Sequence, residues 1–102
     1  MDYKVIWSED AIADLRKAVE YIAQYNPIAA QRTGDTILKK VKMLGRFPRI
    51  GGVFAKLGRD DVREVPVPPY RVIYFIQDSL YAVTILTVWH GARQEPDTLT
   101  GV

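Results

Sequence analysis

Several features that often reveal a protein's chemistry are missing from this chain of 102 residues. It has no cysteine, which excludes a disulfide framework and a thiolate metal site. His90 is the only histidine, so a histidine-rich metal site is excluded as well. The sequence has no Walker loop, no dinucleotide-binding fingerprint, no cluster of metal-ligand residues and no Gly-x-Ser-x-Gly elbow. We therefore expect no metal and no small-molecule cofactor.

Long apolar segments are missing too. No run approaches the ~20 residues that a membrane span needs. The N-terminus lacks the charged, then apolar, then small-residue order of a signal peptide. We therefore expect a cytoplasmic protein with no membrane partner. The length and the 48% hydrophobic content predict one domain, over residues 1–102, with a single core.

Positive charge is concentrated in the middle of the chain. The net charge is only +2, but residues 32–71 contain ten Lys or Arg against four acids. Such a stretch is typical of a protein that binds a polyanion or an acidic protein. A solvated helix face followed by a loop would give the same count, so charge alone leaves both interpretations open.

Two runs rich in β-branched and aromatic residues, 70–76 and 80–89, predict the central strands of a sheet. The turn residues 77–79 lie between them, and both runs are apolar on both faces. Arg71 lies inside the first run, and a guanidinium in a central strand must be paired or must face an opening.

The first half of the chain predicts two helices. Ser8 is a good N-cap for a helix with apolar residues at helical spacing that ends near Tyr25. Asn26 and Pro27 then start a second helix that ends near Gly45. Gly34 in its interior predicts a close approach of the two helices.

This order of elements predicts the fold class. Residues 3–7 and 62–67 are further strands, 49–61 are a loop, and the tail after Arg93 is polar and expected to fray. Pro68-Pro69 predicts an extended, stiff connection. The result is an α+β fold in which an α-helical hairpin packs on a twisted, mainly antiparallel sheet of about four strands, including the N-terminal one.

Four cationic side chains are the candidate site residues. Arg63 and Arg71 flank the proline turn, while His90 and Arg93 close the next hairpin, and the predicted pairing lets all four reach one end or face of the sheet. Arginine matches phosphate with a bidentate fork, and histidine can move a proton near neutral pH. Three aromatic side chains could stack on bases: Tyr70, Tyr74 and Trp89.

Structural roles explain the same residues. His90 can cap a strand end, Arg71 can pair with Glu64 across the hairpin, and the aromatic side chains can belong to the core. Arg93 has the weakest structural explanation, because it follows the last strand next to Gly91.

The layout resembles the RelE/ParE superfamily of type II toxin–antitoxin toxins, also called plasmid stabilisation proteins. The resemblance covers residues 3–93 and rests on five stretches in order: WSEDAIADLRKAVEYIAQYNPIAA, FPRIGG, VREV, YRVIYFI and VWHGAR. The long helical hairpin and the FPRIGG turn look most like the ParE-type branch. The family resemblance implies a toxin that inhibits growth and is neutralised by a cognate antitoxin protein.

The resemblance also implies one of two targets. ParE-like toxins inhibit DNA gyrase by binding it, whereas RelE-like toxins are ribosome-dependent mRNA endoribonucleases. The nuclease branch would give Arg63, Arg71, His90 and Arg93 catalytic roles. The sequence departs from the nuclease pattern at Val65, which stands in place of a second basic residue, and at Leu99, which stands in the region of a C-terminal tyrosine.

Overall fold

A computed structural model of the protein describes residues 2–93, 95–96 and 98–102. Its elements, in chain order, are β1 (Lys4–Trp7), α1 (Glu9–Ala23), α2 (Pro27–Arg46), β2 (Gly52–Val53), β3 (Val62–Val67), β4 (Tyr70–Gln77) and β5 (Ala82–His90). A short 3-10 turn, Asp78–Leu80, joins β4 to β5. The α+β fold predicted from the sequence is confirmed.

The five strands form one sheet in the order β1-β5-β4-β3-β2. The β4–β5 hairpin lies in its middle, as predicted. β1 pairs in parallel with β5, and all other neighbours are antiparallel. The sheet has one strand more than the predicted four, because two residues of the loop after α2 pair with Arg63 and Glu64 to form β2.

The side chains at both predicted N-cap positions cap the N-termini of the two helices. The Ser8 hydroxyl accepts a hydrogen bond from the amide of Ala11 at 3.1 Å, and the Asn26 side chain accepts one from Ala29 at 3.1 Å. These bonds satisfy amides that have no partner within the helix. A Cβ atom on Gly34 would lie 3.4 Å from Cγ2 of Val19 on α1, so the predicted close approach of the helices is confirmed.

The sheet has a buried cluster on each face. The larger one joins the helices to one face of the sheet, and its strand residues include Val72, Tyr74, Ile76, Val83 and Ile85. A smaller cluster on the other face consists of Phe54, Val62, Ile73 and Leu86, with partly buried side chains such as Leu99 packed against it. The face opposite the helices is therefore partly covered by the loop after α2 and by the tail.

Two local expectations are wrong. Pro68 and Pro69 form a tight two-residue turn, with Val67 paired to Tyr70 and a cis bond between the prolines, rather than an extended connection. The tail is attached in part, because Leu99 joins the smaller cluster. Gln94 and Asp97 of that tail lie outside the described residues.

No helix in the described part of the chain is long and apolar enough to cross a membrane.

Candidate functional site

Arg71 lies on β4 on the face opposite the helices. Its neighbours along the strand, Tyr70 and Val72, both belong to the helix-side cluster, and side chains alternate along a strand. Its Nη1 atom lies 3.1 Å from Glu64 Oε1 and 3.0 Å from Glu95 Oε1. The predicted cross-strand pair with Glu64 is confirmed, and a second carboxylate adds to it. The guanidinium is thus neutralised by two acids.

Arg63 is fully engaged in holding the loop before β3. Its side chain donates to the backbone oxygens of Asp60 and Gly51, both at 2.9 Å, and to the Asp60 carboxylate at 2.6 Å. Only 14% of the side chain is exposed. This geometry assigns Arg63 a structural role on a different face from Arg71.

Asp60 belongs to a network of charged and polar side chains that connects the loop before β3 to the β4–β5 connection and to Tyr3, just before β1. Arg49 donates to Asp60 at 3.3 Å and, with two nitrogens, to Asp78 at 3.0 and 2.8 Å. The Tyr3 hydroxyl donates to the same Asp78 carboxylate at 2.6 Å. Hydrogen bonds from Arg49 and then Tyr3 lower the pKa of Asp78 from 3.8 to about 2. The network fixes β1, the loop and the β4–β5 connection together.

A buried hydroxyl holds the start of the same loop. Tyr74 accepts a hydrogen bond from the Gly51 amide at 3.0 Å and donates one to the Pro48 carbonyl at 2.6 Å. Burial of the ring raises the pKa of Tyr74. A Cβ atom on Gly51 would lie 2.5 Å from the Glu64 carbonyl oxygen, so only glycine fits here. The predicted core role for this tyrosine is confirmed.

His90 ends β5 on the helix side of the sheet. Its ring meets the Tyr70 ring edge-on at 5.2 Å, and its Nδ1 accepts a hydrogen bond from the Ala92 amide at 3.1 Å. A neutral imidazole with Nδ1 as acceptor carries its proton on Nε2. The Gly91 amide donates to the Pro69 carbonyl at 2.7 Å, which closes the chain against the proline turn.

A groove of about 510 Å³ opens between α1 and the ends of β4 and β5. It is lined by Asp14, Lys17, Ala18, Tyr21, Tyr70, Val88, His90 and Arg93. Of the four candidate site residues, only His90 and Arg93 therefore share a cavity. Arg63 and Arg71 do not reach it, so the expectation that all four meet at one end or face of the sheet is wrong.

Asp14, which lines this groove, is bound to β5. Its Oδ2 accepts hydrogen bonds from the Thr87 hydroxyl at 2.5 Å and from the Val88 amide at 3.2 Å. These donors lie beside the irregularity at which the β4–β5 register shifts, next to Ile73 and Tyr74. A strand with such an irregularity leaves backbone groups without a ladder partner, and the carboxylate satisfies one of them.

Sequence reasoning missed Lys17 and Tyr21, which come from α1. The groove-lining positions 14, 17, 18 and 21 fall three and four residues apart, the spacing of one helical face. This spacing was the available signal, but Asp14 and Lys17 are typical of a solvent-exposed face. Within residues 2–93, 95–96 and 98–102, neither Lys17 nor Arg93 has an ion-pair partner.

The arrangement of a helical hairpin on a five-stranded sheet is shared with chains of solved type II toxin–antitoxin systems. Residues 5–95 match the model of the family described as ParE toxin of type II toxin-antitoxin system, parDE, and the chain belongs to this family. The resemblance to the RelE/ParE superfamily is thereby confirmed.

Individual relatives come from both named branches. Toxin RelE2 of Caulobacter vibrioides is 36% identical over 91 residues, which are 88% of this chain and 97% of that protein. The RelBE2 toxin–antitoxin complex of Mycobacterium tuberculosis contains a chain with a TM-score of 0.65 and 26% identity, covering 88% of this chain and 99% of its own. The chromosomal ParDE system of P. aeruginosa has a TM-score of 0.71 at 19% identity, with 86% and 95% covered, and shares the fold.

Proposed function

We propose that this toxin inhibits growth by binding a protein target, DNA gyrase, in the manner of the ParE-like branch. The position of Arg71 carries this proposal. A nuclease stabilises the charge that builds on one phosphate, so its cations must gather around that phosphate. Here Arg71 is paired with Glu64 and Glu95 on one face of the sheet, while His90 and Arg93 line a groove on the other.

We further propose a cognate antitoxin as the neutralising partner. The M. tuberculosis RelBE2 and E. coli RelBE structures are toxin–antitoxin complexes, which supports this assignment. On the present chain, exposed Met43 and Ile50 lie beside Lys40 and the open edge of β3 at Pro66. An antitoxin segment that is rich in acidic and apolar residues would complement this surface.

The alternative is a RelE-like, ribosome-dependent mRNA endoribonuclease. One observation favours it: the groove joins His90, a group able to transfer a proton, to the cations Lys17 and Arg93. Such a site would work without Arg71 and Arg63.

Induced expression in a host cell separates the two functions. A gyrase inhibitor should cause DNA-damage signalling and filamentation, and the purified protein should inhibit supercoiling by gyrase in vitro. A nuclease should stop translation and leave cut mRNA. Co-expression with the neighbouring small gene product should restore growth, and the two proteins should co-purify. Growth arrest with cut mRNA and normal supercoiling would overturn the gyrase proposal.

A further inference from the structure

The groove between α1 and the ends of β4 and β5 contains polar groups that no neighbour uses. Lys17 and Arg93 are exposed and have no ion-pair partner within the described ranges, and the His90 ring, whose Nδ1 accepts a hydrogen bond, keeps its Nε2–H as a donor. The acid in the groove, Asp14, already accepts two hydrogen bonds. The groove therefore offers unused donors on Lys17, Arg93 and His90, and its two cationic side chains outnumber its one acid, which fits an anionic group.

One wall of the groove continues into an exposed apolar surface. Tyr21 lines the groove, is 62% exposed, and its ring meets that of Tyr25 edge-on at 5.6 Å. Tyr25 is 75% exposed, and Ile28, in the first turn of α2, is 66% exposed. Tyrosine and arginine are among the residue types that contribute most to protein–protein binding, and Tyr21 and Arg93 line the same groove.

We propose that this groove and the adjoining tip of the helical hairpin are the surface that binds the inhibited protein. The occupant is an acidic segment whose carboxylate reaches Lys17 and Arg93 and whose apolar side chain packs on Tyr21. The proposal rests on the proposed function, to which it adds the contact surface and the chemistry of the bound segment.

The charge distribution around the groove favours an acidic protein segment over a nucleic acid as the occupant. Binding along a phosphate backbone needs a track of Lys and Arg. Among the described residues, only Lys17 and Arg93 contribute cations to the groove lining, and Glu20 is exposed on the same helix one turn after Lys17. The densest basic run, residues 39–46, lies on α2, outside the groove. A short acidic peptide needs no more than two cations, whereas a polynucleotide that extends past the groove would meet the carboxylate of Glu20.

The test is charge reversal with matched controls. Lys17→Glu and Arg93→Glu should each relieve growth arrest and weaken binding to purified gyrase by about tenfold or more, mainly through slower association at low salt. Lys39→Glu makes the same charge change on the exposed surface of α2 and should leave both unchanged. Tyr21→Ala should weaken binding by a similar factor, and its control, Leu38→Ala, should not. All variants should keep the wild-type melting temperature and antitoxin binding.

Each outcome decides between the surface and the target. If gyrase binds the wild type and the groove variants equally well, the surface proposal is overturned and the proposed function stands. If gyrase does not bind the wild type, the gyrase assignment fails, and growth and mRNA integrity decide: relief of arrest in the groove variants alone, with no cut mRNA in the wild type, supports the surface, whereas undiminished arrest or cut mRNA overturns it. The surface proposal is also overturned if the groove variants lose antitoxin binding, or if the wild type does not arrest growth. It is overturned as well if the wild type binds a single-stranded RNA oligonucleotide and the groove variants do not.

Discussion

Replacing Arg71 with alanine distinguishes a catalytic arginine from one that only stabilises the sheet. The substitution leaves the carboxylates of Glu64 and Glu95 side by side without their shared cation. About a quarter of the Arg71 side chain is exposed, as is 22% of Glu64. Exposed pairs contribute up to about 1 kcal/mol, and breaking a fully buried pair costs about 3–5. For this half-buried group we expect a loss of about 1–2 kcal/mol of unfolding free energy, or a melting temperature lower by about 5–15 °C.

The functional expectation is different for the two candidate activities. A toxin that binds its target through the groove does not use Arg71, so growth arrest at a temperature well below melting should persist. A nuclease that uses Arg71 to stabilise the transition state should lose about a hundredfold or more in rate, and growth should recover. The measurement is growth after induction, with antitoxin co-purification as the control for folding.

A second variant separates stability from activity. The double substitution Arg71→Gln and Glu64→Gln removes both charges from the strand pair, so it should recover part of the stability that Arg71→Ala loses. If this double variant is well folded and binds antitoxin but does not arrest growth, Arg71 is needed for toxicity itself and our reasoning is refuted. If the single and the double variant both arrest growth, the enzyme interpretation loses its central arginine.

Three further predictions concern the scaffold. Tyr74→Phe removes two buried hydrogen bonds of the loop after α2 and should cost about 2–3 kcal/mol in urea unfolding, whereas Tyr70→Phe, whose hydroxyl has no hydrogen bond within the described residues, should cost little; equal losses would contradict this. Gly34→Ala should raise the melting temperature, since a Cβ just fits against Val19 and alanine favours the helix by about 1 kcal/mol, whereas Gly34→Leu should lower it through strain of roughly 1–3 kcal/mol; no change in either would mean that the position is not at a helix contact. The low pKa of Asp78 in the folded state gives stability that is present above its ordinary pKa of 3.8 and lost as the pH falls towards about 2. Unfolding of Asp78→Asn should therefore differ from wild type at pH 7 and converge with it near pH 2, and a constant difference would refute the linkage.

Local sequence signals were enough to predict most of the fold. Ser8 and Asn26 cap the helices through side-chain chemistry that acts over three residues, and such signals depend little on the rest of the chain. The parallel pairing of β1 with β5 joins residues almost 80 positions apart, so no local pattern indicates its direction. β2 has only two residues, too few for any period to appear.

The predicted arrangement of the candidate site was wrong because of the geometry of one turn. Because Pro68 and Pro69 form a two-residue turn, Val67 pairs with Tyr70 and Arg63 pairs with Tyr74. Paired residues share a face of the sheet, and Tyr74 is three residues from Arg71, an odd number, so the two arginines lie on opposite faces. An extended connection was predicted instead, which left the register open.

The two faces of the sheet limit which chemistry this chain can perform. Removing Glu64 and Glu95 would free Arg71, but its guanidinium would still lie across the sheet from His90, because side-chain direction on a strand is set by position. No single substitution can therefore unite Arg71 with the groove. Among the described residues, phosphate chemistry in the groove would depend on His90, Arg93 and Lys17, and the exposed Arg93 and Lys17 also suit a partner's carboxylate. The groove variants with their charge-matched control therefore test the function of this toxin more directly than any substitution on the Arg71 face.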